Sequence, residues 1–117
     1  MKDTRPPINA EWLARMRATK PDLLRELFAM YLADEPKRLA ALCDAVAKGD
    51  LELMRYQAHS LKGAAATMGM ERLCDACREL EDAARIGFGE ALSQSCANVE
   101  REAEAVFAVM REDSEQS

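Results

Sequence analysis

The sequence predicts an all-α protein, an antiparallel four-helix bundle with a short additional N-terminal helix, and three observations carry that prediction. The composition is rich in Ala, Leu, Glu, Arg and Met, which favour helix, while aromatic residues make up only 5% of the chain. No extended run of alternating Val, Ile or Thr is present to build a half-buried strand. Apolar residues recur instead in steps of three and four, interrupted by turn residues. At 117 residues the chain suits one domain with one core. That domain is expected over residues 9–112, with loose tails over 1–8 and 113–117.

Asn9 can cap a first short helix running to about Ala18, in which Trp12, Leu13 and Met16 form an apolar edge and Trp12 a lid on the bundle. Pro21 suits the first turn of a second helix, whose Leu23, Leu24, Leu27, Phe28, Tyr31 and Leu32 make a wide apolar face. Pro36 interrupts it. The stretch to Lys48 is therefore either one helix kinked near Pro36 or two helices meeting there, with Leu39, Leu42, Cys43 and Val46 continuing the stripe. Gly49 and Asp50 read as a C-terminal cap followed by an N-cap, a tight turn into a third helix. On that helix Leu51, Met54, Ala58, Leu61, Ala65 and Met68 fall on one side. Gly69 ends it, since glycine takes the left-handed backbone conformation without penalty. A fourth helix carries Leu73, Cys77, Leu80 and Ala84 until Gly87 and Gly89 break the pattern. The last, from about Glu90 to Glu112, carries Leu92, Cys96, Val99, Ala103, Val106 and Met110.

A net charge of -5 argues against a nucleic-acid partner, which would require a basic field. No apolar stretch approaches the roughly 18 residues of a membrane span, so no membrane insertion is expected. Four cysteines, Cys43, Cys74, Cys77 and Cys96, fit helical apolar stripes in a chain that shows no secretion signal. They read as reduced core thiols in a cytoplasmic protein.

The chain's single histidine, His59, lies opposite the apolar stripe of the third helix. Arg55, Tyr56, Lys62, Gly63 and Ala66 share its broad outer face. Neutral imidazole is a nucleophile near neutral pH, and a phosphoryl group on its nitrogen stays reactive enough to pass to a carboxylate. Lys62, one turn on, can offset phosphoryl charge; Gly63 and Ala66 keep the surface low where a partner would approach.

The order His59-Ser60-Leu61-Lys62-Gly63, followed by small residues and by Gly69 ten positions after the histidine, resembles the histidine-containing phosphotransfer (HPt) domains of multistep phosphorelays. Leu73, Cys77 and Leu80-Glu81 resemble the family's next helix, and Gly49-Asp50 its turn before the histidine helix. The resemblance covers roughly residues 10 to 110 and implies a four-helix bundle with His59 phosphorylated. It further implies Lys62 as the phosphoryl-stabilising lysine and Gly63 as the residue that permits close approach of a receiver domain. In some members a Gln and an Arg on the next helix orient the histidine or contact the phosphoryl group. Those positions hold Glu81 and Arg85 here, Glu81 departing from the Gln.

The function so implied is a reversible relay: His59 takes a phosphoryl group from the phosphoaspartate of one receiver domain and passes it to the aspartate of another. The receivers would belong to a hybrid sensor kinase, a response regulator or both, and would bring their own Mg²⁺. The chain itself would be a carrier, since it shows no glycine-rich nucleotide loop, and would act as a monomer. Arg55, Lys62, Arg72 and Arg85 are expected around His59, steering an acidic receiver site.

Three rivals stand beside this reading. Cys74-Asp75-Ala76-Cys77 could form a metal or redox pair, although no second pair completes a tetrahedral site in sequence. A structural helical adaptor would leave His59 incidental. A phosphoacceptor domain of a chemotaxis-type kinase is the nearest variant.

Overall fold

In the computed structural model, residues 3–87 and 89–116 are described, the side chains of 114–116 excepted. Five helices follow one another: α1 (Ala10–Thr19), α2 (Pro21–Lys48), α3 (Leu51–Thr67), α4 (Glu71–Ile86) and α5 (Gly89–Gln116), with no strand among the described residues. The helices α2 to α5 form the bundle: α3 packs on α2 and α4, and α5 closes the ring against α4 and α2. The short α1 packs on α2. This is the all-α bundle that the periodicity predicts.

The predicted stripes make the core, which includes Leu24, Phe28, Leu42, Met54, Leu61, Leu73, Leu80, Val99 and Met110. Burial of each such side chain stabilises the fold by about 1.5–3 kcal/mol. Two expected core residues differ. Leu51 is 38% exposed and Leu23 is 42% exposed. Leu51 opens α3 beside the end of α4, whereas Leu23 stands about 100° round α2 from the buried Leu24.

The helix α2 is continuous through Pro36. Pro36 is exposed, so water can serve the carbonyl whose donor the proline ring removes. Gly49, left-handed at φ 71°, closes α2, and the Asp50 carboxylate caps α3 by accepting from the Leu53 N–H at 3.1 Å.

The start of the chain corrects an expectation. Residues 3–8, read as part of a loose tail, lie against α4: Ile8 is buried, Arg5 donates to Asp75 at 2.8 Å, and Arg72 donates to the Arg5 carbonyl at 3.0 Å. Asn9 caps α1 by accepting from the Trp12 N–H at 2.9 Å, and its own N–H donates to the Gly69 carbonyl at 2.7 Å. At the other end α5 runs on to Gln116, beyond the predicted Glu112, and Asp113 pairs with Arg17 of α1. Met1, Lys2 and Ser117, the extremities of the two expected tails, lie outside the described residues.

Candidate functional site

The site is assembled by an antiparallel pair joined at a tight turn. Gly69, at φ 70°, lets the chain reverse after α3, and the Met70 N–H donates back to the Ala65 carbonyl at 2.9 Å, satisfying an end-of-helix acceptor. Met70 is fully buried, which pins the turn to the core. Residues equally distant from such a turn come level on the two helices. His59 and Glu81 are each eleven positions from Met70.

One carboxylate oxygen, Glu81 Oε1, accordingly lies 3.0 Å from Lys62 Nζ and 3.7 Å from His59 Nδ1. The His59 side chain is 75% exposed, while those of Lys62 and Glu81 are 26% and 17% exposed. The lysine and glutamate thus form a half-buried ion pair beneath an imidazole that stands in solvent. With Nδ1 turned toward Glu81, the opposite ring nitrogen, Nε2, points away from the carboxylate. A carboxylate beside Nδ1 favours the tautomer with its proton there and leaves the Nε2 lone pair free.

His59 borders an open depression of about 350 Å³ together with Glu52, Arg55, Tyr56 and Glu81. Tyr56 is 66% exposed. Gly63 lies one turn on from His59, and among the described residues no side chain or neighbouring helix would come within 4 Å of a Cβ built on it. Ala66 is exposed one turn further along α3.

Not every predicted neighbour joins the site. Arg72 is nine residues before Glu81 on α4, about half a revolution round and about 13 Å along the axis. It is held there by Glu102, with contacts of 2.6 and 3.0 Å, and does not ring His59. Arg85 is exposed and pairs with Asp82 at 2.6 Å. Of the four cations expected around the ring, Arg72 is therefore the one set apart, while Arg55 borders the depression and Lys62 pairs with Glu81. Glu81, which departs from the family's Gln, is the carboxylate that the fold brings within 4 Å of both His59 and Lys62.

The cysteines also sort differently from the sequence. Cys77 is fully buried one turn before Glu81, which makes it a core thiol. The sulfurs that meet are those of Cys43 and Cys96, 3.9 Å apart on α2 and α5. No local motif marks that pair.

An exposed imidazole flanked by a lysine suits phosphoryl carriage on histidine. The model of the Hpt domain matches residues 26–109. The chain belongs to the Hpt domain family. Its fold is similar to that of histidine-containing phosphotransfer protein B (HptB) from Pseudomonas aeruginosa PAO1, with a TM-score of 0.85 and 28% identity over 96% of this chain and 97% of that one. Comparison with curated protein sequences finds no match. Hpt domains carry phosphoryl groups on histidine in phosphorelays and exchange them with receiver domains of response regulators or kinases. This Hpt domain is therefore a phosphotransfer carrier and not a classical enzyme or a passive adaptor. Among the described residues, no helix is long and apolar enough to cross a membrane.

Proposed function

We propose that His59 is the residue that carries the phosphoryl group, taking it from the phosphoaspartate of one receiver domain and giving it to the aspartate of another. The observation that carries this reading is the placement of the chain's only histidine, exposed on α3, with Glu81 beside Nδ1 and Lys62 one turn away. In the forward step the Nε2 lone pair attacks phosphorus, the N–P bond forms, and the acyl phosphate P–O bond breaks to release the aspartate carboxylate. Nδ1 keeps its proton throughout. The reverse sequence delivers the group to the second receiver.

Phosphoryl transfer depends chiefly on position and on charge neutralisation. Lys62 supplies the neutralising charge: its ammonium is held against Glu81 at 3.0 Å and can be shared with phosphoryl oxygens arriving on the neighbouring ring. Gly63 and Ala66 leave the face open to a receiver, while Arg55 and Tyr56 offer it a cation and an aromatic surface at the rim of the depression. The Mg²⁺ of the transfer step belongs, in this reading, to the receiver. The receivers are those of a hybrid sensor kinase, a response regulator or both, and the carrier works in the cytoplasm as a monomer, since the apolar stripes of α2 to α5 are met within one chain.

Incubation with a phosphorylated receiver tests the assignment. Wild type should acquire an acid-labile, base-stable label, and His59→Gln should acquire none while keeping its helical circular dichroism. Substitution of so exposed a side chain should leave stability within about 0.5 kcal/mol of wild type. Equal labelling of His59→Gln, or no labelling of wild type by several receivers, would refute it.

A further inference from the structure

Away from the histidine face, α2 and α5 bring together three side chains whose donor atoms converge. The sulfurs of Cys43 and Cys96 are 3.9 Å apart, and Glu100, one turn beyond Cys96, places Oε1 3.8 Å from the Cys96 sulfur. The three donor atoms all lie within 4.8 Å of one another. Two thiolates bound to one tetrahedral ion through bonds of about 2.3 Å stand about 3.8 Å apart, so the sulfur spacing already matches a shared ligand pair. A disulfide would require the same sulfurs to close to about 2.05 Å. Cys96 is buried, Cys43 half-buried and Glu100 exposed, so the cluster reaches from core to surface. The exposed end at Glu100 gives an ion a route in from solvent.

We propose that Cys43, Cys96 and Glu100 form a binding site for a thiophilic divalent cation of the Zn²⁺ class. Two sulfur donors select such an ion over Mg²⁺ or Ca²⁺, which take oxygen ligands. On binding, each thiol gives its proton to solvent, two metal–thiolate bonds form and no electron moves, so two protons leave per cation. The ion ties α2 to α5 across the closing edge of the bundle. None of its three ligands lines the His59 depression, so the site stands independently of the phosphotransfer reading.

Titration of the reduced full chain with Co²⁺, followed by displacement with Zn²⁺, tests the proposal. Expected are one cation per chain, a thiolate-to-cobalt charge-transfer band that Zn²⁺ removes, two protons released, and a higher melting temperature with Zn²⁺. Cys43→Ser should abolish the band, and Cys74→Ser should retain it. Glu100→Gln, altering an exposed residue and so keeping the fold, should weaken binding by at least the roughly tenfold seen when outer-shell partners of a metal are removed. A reduced wild type that shows no band, a band that survives Cys43→Ser, or unchanged affinity in Glu100→Gln would overturn the site. So would a Cys43–Cys96 crosslink formed in air by a chain that takes up no cation when reduced.

Discussion

Gly63 separates the demands of the fold from those of a partner. It lies in the interior of α3, where glycine costs about 0.5–1 kcal/mol relative to alanine, and a Cβ built there meets nothing within 4 Å. Nothing among the described residues therefore requires glycine there. Gly63→Ala should raise stability by about that amount, roughly 2–6 °C in melting temperature for a domain of this size. If a receiver must seat against this strip, the added methyl crowds the interface. Overpacking of a close contact costs about 1–3 kcal/mol, which translates to a loss of about 5- to 150-fold in the second-order rate of phosphotransfer. Thermal unfolding and rapid-quench transfer from a phosphorylated receiver measure the two halves. A Gly63→Ala variant that is more stable and transfers at the wild-type rate would refute the docking role; one that is less stable would refute the packing argument.

Three further outcomes follow from named contacts. Glu81→Gln removes a negative charge beside the phosphorylated ring, and about 0.7 kcal/mol of repulsion across about 6 Å of water-like medium should shift the transfer equilibrium about threefold toward histidine, read from end-point labelling; a shift toward aspartate would contradict the repulsion. Gly69→Ala forces a side chain into φ 70° and sets its Cβ 3.1 Å from the Asn9 Cβ, so denaturant unfolding should show a loss of about 1–3 kcal/mol. Glu35 is buried with Oε2 unpartnered; burial holds its carboxyl above the ordinary range, against the pull of Arg38. Because its folded pKa exceeds the unfolded one, protonation favours the fold. Wild type should therefore gain stability over Glu35→Gln as pH falls from that raised value through the ordinary carboxylate range, and a difference independent of pH would refute the assignment.

Much of this architecture is legible in the chain because helices write their buried faces at fixed intervals. The stripe through Met54, Ala58, Leu61 and Ala65 places His59 outward before any coordinate is known, and the glycine and capping signals at Gly49, Asp50 and Gly69 locate the turns on either side. Periodicity fails at the ends of elements. Leu51 continues a stripe to the very start of its helix, and Leu23 lies at the edge of a face whose centre is Leu24. Ile8, one apolar residue among prolines and charges, has no period to announce its burial, and the bond from Asn9 to Gly69 that seats the segment spans the sequence. The same limit applies to chemistry assembled across helices. Lys62 is visible from His59 by spacing, whereas the approach of Glu81 depends on how α3 and α4 align. Cys43 and Cys96, 53 positions apart, are invisible as a pair, although Cys96 and Glu100 carry a local i,i+4 signal.

The reversal at Gly69 and Met70 has a consequence for which changes in chain length the protein can bear. Because Glu81 reaches His59 by being the same number of steps from that corner, the interval between them works as a counted distance. One residue added or removed between Met70 and Glu81 would turn the carboxylate about 100° away from the imidazole and slide it about 1.5 Å. Lys62 would lose its counter-ion at the same stroke. A residue inserted after Gly87, beyond the second arm of the count, leaves the interval intact. The segment from His59 to Glu81 should therefore tolerate exchange of its outward residues far better than any change in their number.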